Sequence, residues 1–279
     1  MSIMSDRSTH QQQDAPALMG ALNPDASGKL GPFLAALLRA RDVETAWQLT
    51  CEHMAALGFD GVIYGYSPTS TDENIGLQEE LLLLSTLDRR AMRVFVDNRL
   101  YWESITFNWA LRNSGIASWS MTAKEAGLSD SFRCSDAALA FFDKAGMMVG
   151  CTIGFPTLRK RGRGVMSLLA PPGESQAACD ERCAALGDDL FVAAASAHRT
   201  LVDMPFVDRT LRLTGRQREV LEWVADGKSV AEIAAILNIS TATVEKHLRL
   251  ARETLGAEST AHAVTKASFL NQLFLGSGC

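Results

Sequence analysis

The 279-residue chain is predicted to be an α+β protein, in which an α/β/α sandwich with an antiparallel sheet precedes an all-α domain of four helices. Two observations predict this division. Strand-like runs, two of them consecutive, occur only in the first part, whereas the last part consists of short apolar stripes at helical spacing, each with its own start and stop signals. The hydrophobic content of 47% is sufficient for a sizeable core in such a chain.

Composition sets the predicted boundaries. Residues 1–28 are rich in Ser, Gln, Asp, Ala and Gly without periodicity, which indicates a flexible N-terminal tail. Residues 29–201 form the first domain, residues 202–212 with Pro205 form a linker, and residues 213–279 form the last domain.

The elements of the first domain follow from periodicity. A helical pattern covers 31–56, and two strand-like runs at 61–67 and 80–86 are joined by the polar loop 68–78. Helical patterns then cover 87–101, 105–112 and 136–145. The runs 147–155 and 164–169 predict a β-hairpin with the basic turn 159–163, and 174–201 predicts a long helix.

Capping signals divide the last domain into helices. Thr214 with Gln217, and Ser229 with Glu232, have the spacing of a capping box, in which a hydroxyl and a side chain three residues later satisfy each other's backbone N–H groups. Gly227 and Asn238 are predicted to end these two helices. Further helices begin after Ser240 or Thr241 and after Ser259, which are good N-cap residues.

The connection 238–240 is so short that the third helix must cross the second steeply, as in a helix-turn-helix. On the third helix Val244, Leu248 and Ala251 face inward, so its polar side chains remain available to DNA. At this point the chain resembles the DNA-binding domain of the LuxR family. The matching positions are Leu213-Thr214, Arg216, Gly227-Lys228-Ser229, Glu232-Ile233-Ala234, Ile239-Ser240, Thr243-Val244, His247-Leu248 and Leu255-Gly256. Gln217 departs from the family's usual Glu.

The resemblance implies binding to double-stranded DNA through the third, recognition helix. The expected contact residues are Lys228, Thr241, Thr243, Glu245, Lys246, Arg249 and Arg252. Residues 213–279 carry seven bases and seven acids, so this domain is electrically neutral and the net charge of −5 belongs to the preceding part. A neutral monomer making few phosphate contacts would bind weakly, and a homodimer is therefore expected.

The first domain resembles the autoinducer-binding domain of the same quorum-sensing family. The resemblance rests on 57–60 leading into Tyr64-Gly65, on the run 109–119 between two tryptophans, and on Gly146, Gly150 and the strand 150–155. It implies a sensor domain with a pocket for a small molecule. A ligand-gated transcription factor would then gain fold and dimer stability from that molecule, raising DNA occupancy by linkage.

The residues typical of acyl-homoserine lactone recognition are replaced. In the family a Trp, a Tyr and an Asp hold the lactone and the amide, and counting back from Trp119 places them at Ala91, Phe95 and Ser104. Each lost hydrogen bond removes about 0.5 to 1.5 kcal/mol of affinity. The ligand is therefore expected to be another, more apolar molecule, or to be dispensable. The candidate pocket residues are Tyr64, Tyr66, Ala91, Phe95, Trp102, Ser104, Trp119 and Ser167.

Other hypotheses stay open beside this one. A shifted register would let Glu103, with Tyr101 and Trp102 nearby, serve an acyl-homoserine lactone in a rearranged pocket. A protein that senses nothing and pairs with a related regulator is a further alternative. A phosphorylated receiver domain is disfavoured, because it requires β/α alternation with acids at strand ends, whereas the runs at 61–67 and 80–86 are consecutive strands.

Catalysis, metal binding and membrane insertion are not expected. The five histidines are scattered and no phosphate-binding glycine loop is present, so neither an enzyme nor a cofactor is predicted. Apolar runs fall far short of the ~20 residues of a membrane span, and no signal peptide is apparent, so a cytoplasmic location with reduced cysteines is expected. Only Cys179 and Cys183 stand at helical spacing, and a metal or redox role is not expected for them.

Overall fold

The computed structural model describes residues 24–71, 73–74, 80–205 and 211–275, with only the backbone of residues 24–28. Its first domain contains helices α1 Pro24–Leu37, α2 Val43–Ala56, α3 Arg89–Asp97, α4 Ile105–Ala110, α5 Asp136–Lys144 and α6 Gln176–Asp203. Its strands are β1 Gly61–Ser67, β2 Leu82–Ser85, β3 Gly115–Ser118, β4 Gly150–Gly154 and β5 Arg163–Leu169. The predicted α+β class with a sheet-containing domain before a helical domain is confirmed.

The five strands form one antiparallel sheet in the order β2-β1-β5-β4-β3. The predicted hairpin is confirmed, since β4 pairs with β5 and Thr152 stands opposite Ser167. The edge strand β3 was not predicted, because it is only four residues long and lies inside the run 109–119. The predicted strand at 61–67 has the bounds observed for β1.

The two faces of the sheet pack against different helices. On β1, Val62, Tyr64 and Tyr66 belong to the large core with residues of α1, α2 and α6. Ile63 points the other way and joins a second core with residues of α3 and α5. This alternation follows from the two-residue period of a strand, and it produces the predicted layered arrangement.

Three predicted helices are interrupted. The pattern 31–56 forms two helices, because the Asp42 carboxylate accepts the N–H of Thr45 and starts α2. The pattern 87–101 ends as α3 at Asp97, where Arg99 turns left-handed (φ 53°) before a 3-10 turn at Leu100–Glu103. The long helix α6 contains Gly187 at φ 50° and ψ −128°, a conformation outside the helical region. The helix α1 begins inside the predicted tail 1–28, while residues 1–23 and part of the predicted linker, 206–210, lie outside the described residues.

The last domain contains α7 Gly215–Ala225, α8 Val230–Leu237, α9 Thr241–Leu255 and α10 Thr260–Phe269. Both predicted capping boxes are present, at Thr214 and at Ser229. Ser240 caps α9 and Ser259 caps α10, while Asn238 and Gly256 are left-handed at the ends of α8 and α9. The domain core includes Val220, Leu221, Ile233, Val244, Leu248, Ala251 and Leu255.

Candidate functional site

A cavity of about 230 Å³ lies between the sheet and helices α3 to α5. It occupies the face to which Ile63 and Leu169 point, opposite the large core under α6. Aromatic and aliphatic side chains bound most of it, among them Ile63, Leu83, Phe95, Tyr101, Phe107, Phe142, Met147 and Val165. A space of this shape suits a small molecule that is mostly apolar.

Three of the polar groups that border the cavity form a chain of hydroxyls together with Thr152. Thr106 Oγ1 lies 2.9 Å from Thr152 Oγ1, which in turn lies 3.3 Å from Ser167 Oγ. Ser104 Oγ extends the chain, 3.3 Å from Thr106 Oγ1. Trp119 Nε1 donates to Thr152 Oγ1 at 2.8 Å. The indole N–H is therefore already satisfied by the protein, while Ser104, Thr106 and Ser167 border the cavity with hydroxyls that can donate or accept.

The charged residues at the cavity bind backbone groups. Glu103 Oε2 accepts the N–H of Ser135 at 2.7 Å. Arg163 donates from Nε to the carbonyl of Leu111 at 3.0 Å and from Nη1 to the carbonyl of Arg159 at 3.1 Å. These bonds tie both charged side chains to the backbone, so the hydroxyl chain is the main polar feature offered to a ligand.

The eight residues predicted for the pocket divide into two groups. Those that border the cavity are Tyr66, Phe95, Ser104, Trp119 and Ser167. Ala91 lies one turn before Phe95 on α3 and does not border the cavity. Trp102 packs with Phe107 and Trp109 beside it, and Tyr64 lies on the other face of the sheet.

Tyr64 belongs instead to a buried polar contact under α6. Its hydroxyl lies 2.9 Å from His198 Nδ1, and the His198 ring stacks on Phe155 with centroids 4.2 Å apart. Burial lowers the pKa of His198 to about 3, with a smaller contribution from Arg199. Burial also raises the pKa of Tyr64 well above its usual value. Both groups are therefore neutral over the ordinary pH range.

Sequence analysis did not identify Thr106 and Thr152 as site residues. Thr152 is 1% exposed and contacts Thr106, Ser167 and Trp119 through one oxygen. The hairpin register that sets Thr152 opposite Ser167 is the signal that could have revealed it. Burial of a threonine on the cavity side of a strand costs free energy unless its hydroxyl is hydrogen-bonded, so such a residue indicates a polar contact at the site.

The residues predicted to contact DNA lie on the accessible surface of the last domain. Thr241, Glu245, Lys246 and Arg249 are exposed on α9, and Thr243 and Arg252 are half-buried there. Lys228 is exposed in the turn before α8. Arg249 pairs with Glu253 at 2.6 Å, with side chains 53% and 56% exposed. Thr243 Oγ1 lies 2.8 Å from the capping hydroxyl of Ser240, so it is engaged at the start of the helix.

Three of the cysteines, Cys151, Cys179 and Cys183, lie close together, and the described cysteines form no disulfide. Cys51, Cys134, Cys151, Cys179 and Cys183 are free thiols, and Cys279 lies outside the described residues. A hydrogen bond with Cys151 lowers the pKa of Cys183. Within the described part of the chain, no group of three or more His, Cys, Asp and Glu residues is placed to hold a metal ion. No helix there is long and apolar enough to cross a membrane.

Two family models match the chain. Residues 42–201 match the autoinducer binding domain, and residues 211–267 match the model described as bacterial regulatory proteins, luxR family. The first match alone covers more than half of the chain, and together they reproduce the two domains of the structure.

The chain is also similar to individual proteins. The transcriptional activator protein AnoR of Acinetobacter nosocomialis is 22% identical over 247 residues, which are 86% of this chain and 97% of that protein. The transcriptional activator protein BjaR1 of Bradyrhizobium diazoefficiens is 50% identical over 56 residues, 20% of this chain and 23% of that protein. A structure of SdiA in complex with octanoyl-rac-glycerol shares the fold with a TM-score of 0.51 and 17% identity, over 88% of this chain and 96% of that one.

Proposed function

The chain belongs to the LuxR family of quorum-sensing transcriptional regulators, and we propose that its signal is a neutral small molecule other than a standard acyl-homoserine lactone. The regulator would act in the cytoplasm as a homodimer on double-stranded DNA. The observation that carries the proposal is the chain of hydroxyls formed by Ser104, Thr106, Thr152 and Ser167, three of which border a mostly apolar cavity.

The chemistry of the hydroxyl chain favours a ligand without an amide N–H. Ser104 stands where the family's amide-binding Asp is expected, and its hydroxyl accepts the N–H of Phe107 as the cap of α4. Phe95, at the expected Tyr position, borders the cavity with a ring that has no hydroxyl. A carbonyl or hydroxyl of a ligand can form hydrogen bonds with serine and threonine hydroxyls. The amide N–H of a lactone, in contrast, would lack the carboxylate that accepts it in the family.

The fold accommodates such molecules elsewhere. SdiA, which shares this fold, is described in complex with octanoyl-rac-glycerol, a compound with an acyl chain and hydroxyls but no lactone. An acyl chain would lie among Leu83, Phe142 and Met147, and a hydroxyl-bearing head group would meet Ser104, Thr106 and Ser167. We therefore propose hydroxylated acyl compounds as the ligand class.

Thermal unfolding of the purified full chain tests the ligand. Saturating octanoyl-rac-glycerol is expected to raise Tm, since a ligand at ~100 times its Kd adds about 2.7 kcal/mol of stability. A panel of acyl-homoserine lactones of different chain lengths should leave Tm unchanged. A rise with lactones would contradict the proposal, and no rise with either class would indicate a regulator that acts without ligand.

A gain-of-function variant makes the test sharper. Ala91→Trp, Phe95→Tyr and Ser104→Asp together restore the residue types typical of lactone recognition, and Ala91 and Phe95 share one face of α3. The triple variant is expected to gain a lactone-dependent rise in Tm. The same triple with Val94→Tyr replacing Phe95→Tyr is the control, because Val94 is 45% exposed and points away from the cavity. The control should gain a smaller lactone-dependent rise in Tm than the triple variant.

One observation favours a second candidate function, a lactone-responsive regulator with a rearranged pocket. Glu103 borders the cavity beside Ser104 and carries a carboxylate that could accept a ligand N–H. In that case wild-type protein would respond to lactones and Glu103→Gln would lose the response. Under the main proposal Glu103→Gln leaves the response to octanoyl-rac-glycerol unchanged.

DNA binding is proposed to use the exposed face of α9, with Lys246 and Arg249 at base edges and Lys228 and Arg252 at phosphates. The Arg249–Glu253 pair is half exposed, and such i,i+4 pairs contribute only about 0.3 to 0.5 kcal/mol. Arg249 can therefore leave Glu253 at little cost when a guanine edge is offered. Thr241, Thr243 and Glu245 line the same helix and complete the proposed contact set.

Substitution of Arg249 tests this assignment on DNA fragments selected by the wild-type protein from a random pool. Arg249→Ala should weaken binding by about 1 to 3 kcal/mol and relax the preference at one base position. Arg216→Ala is the matched control, because Arg216 forms a similar exposed pair with Glu219 on α7, outside the recognition helix. An equal loss on every sequence would make Arg249 a phosphate contact.

A further inference from the structure

The sensor domain and the helix-turn-helix domain contact each other through a buried ion pair. Lys266 Nζ, on α10, lies 2.8 Å from Glu80 Oε1, and the two side chains are only 11% and 3% exposed. The pairs Arg182–Glu174, Arg216–Glu219 and Arg249–Glu253 each lie within one domain and are more exposed. The contact between domains is thus the most buried of these ion pairs.

A second contact lies at the end of the same helix. The side-chain amide of Asn271 donates to the carbonyl of Val202 and, at 3.2 Å, to that of Met204, where α6 ends. Asn271 adopts a left-handed conformation (φ 50°), which asparagine tolerates better than most residues. Lys266 and Asn271 therefore attach the C-terminal end of α10 to two separate parts of the sensor domain.

The ion pair is connected to the edge of the cavity. Thr69 Oγ1 donates to Glu80 Oε2 at 2.7 Å and lies 3.3 Å from Ser67 Oγ. Ser67 borders the cavity, and so does Leu81, the residue after Glu80. Ser67 and Leu81 are thus connected through one or two contacts to Glu80, the residue that pairs with Lys266 of the DNA-binding domain.

We propose that Glu80, Lys266 and Asn271 form an interdomain clamp that docks the helix-turn-helix domain on the sensor domain and links its position to the residues at the cavity edge. If the cation is removed while the domains stay docked, the Glu80 carboxylate is left buried and unpaired, which is strongly disfavoured, so the docked arrangement requires both charges. The clamp also makes the stability of the sensor domain depend on a residue outside it. The effect on the stability of the sensor domain can be measured without DNA and without ligand.

Urea unfolding of the full chain in a Trp223→Phe background tests the clamp, because the four remaining tryptophans all lie in the sensor domain. Lys266→Met should lower the unfolding midpoint of the sensor domain and increase the radius of gyration in solution scattering, as the docked-to-released ratio falls by about tenfold or more. Lys228→Met is the matched control, since Lys228 is an exposed lysine of the same domain. It should change neither quantity.

Two further variants separate the ion pair from simple loss of a lysine. The exchange Glu80→Lys with Lys266→Glu should recover a compact particle and most of the midpoint. Thr69→Val, which removes the hydroxyl bond to Glu80 but no charge, should release the domain partially. The proposal is overturned if Lys266→Met behaves like Lys228→Met, or if the exchange is no better than either single variant. These readouts are independent of the ligand and DNA tests above.

Discussion

The two faces of the central sheet are built from alternate residues of the same strands, yet they serve different purposes. Under α6 the strands contribute Tyr64, Met166 and Leu168, all fully buried in the large core. On the opposite face the neighbouring residues, including Ile63 and Ser167, border a cavity of about 230 Å³. One face holds the domain together, and the other keeps space and hydroxyls for a ligand.

The polar contacts of the two faces differ in the same way. The Tyr64–His198 pair is sealed, and each group has its partner within the protein. The hydroxyls of Ser104, Thr106 and Ser167 are joined in a chain that borders empty space. Burial of a polar group therefore does not by itself identify a binding site. The open volume beside it does.

The largest expected difference between the faces comes from a core residue on β5. Leu168→Ala should reduce the free energy of unfolding by about 2 to 5 kcal/mol, because it removes a fully buried side chain and leaves a cavity under α6. Urea unfolding of the full chain measures this loss. A loss below about 1 kcal/mol would mean that the α6 face is not the structural face.

Low pH is expected to destabilise the α6 face of the sheet through protonation of His198. The pKa of this group falls from its usual 6.5 to about 3 through burial, so its stabilising contribution is complete above pH 6.5 and is lost as pH falls toward 3. The free energy of unfolding is expected to fall by about 1.4 kcal/mol per pH unit in that window. The partly buried His53, whose pKa is also lowered by burial, adds to the slope.

His198→Gln tests this contribution, since the amide can still bind the Tyr64 hydroxyl but does not titrate. Between pH 6.5 and ~5, above the range in which most carboxylates titrate, the free energy of unfolding of the variant should fall less steeply as pH falls. The difference from wild type should be about 1.4 kcal/mol per pH unit. His198→Gln with an unchanged slope would place the acid sensitivity in another group. His262→Gln, at an exposed position of the last domain, is the control.

The smallest effect is expected on the cavity face. Ser167→Ala, one residue before Leu168, removes a hydroxyl that is only 3.3 Å from Thr152 and borders open volume. Its stability should change by less than about 1 kcal/mol. The rise in Tm with octanoyl-rac-glycerol should decrease, and an unchanged rise would remove Ser167 from the proposed head-group site.

Local signals allowed much of this fold to be predicted. The capping boxes at Thr214 and Ser229 and the strand at 61–67 depend on residues within a few positions of one another, and the structure has them as expected. The breaks at Arg99 and Gly187 were not predicted, because tertiary packing selects these backbone conformations over the local helical preference. The strand β3 depends on pairing with β4 and has little signal of its own.

The site was less predictable for a related reason. Phe95, Ser104, Trp119 and Ser167 were inferred from family resemblance and do border the cavity, but Tyr64 lies on the other face. Alternation along β1 separates Tyr64 from Ile63, and only the register of the sheet shows which of them meets α6. The contacts of Thr152 join residues 15 to 46 positions apart, and no local pattern announces them.

The Glu80–Lys266 contact also bears on how parts of such regulators can be exchanged. A chimera that joins this sensor domain to another helix-turn-helix domain without a lysine at the equivalent position would leave Glu80 buried without its cation. The foreign domain would then be held mainly by the connecting chain. Transplanting the lysine and asparagine of α10's end together with the linker would be the minimal graft that keeps the two domains in contact.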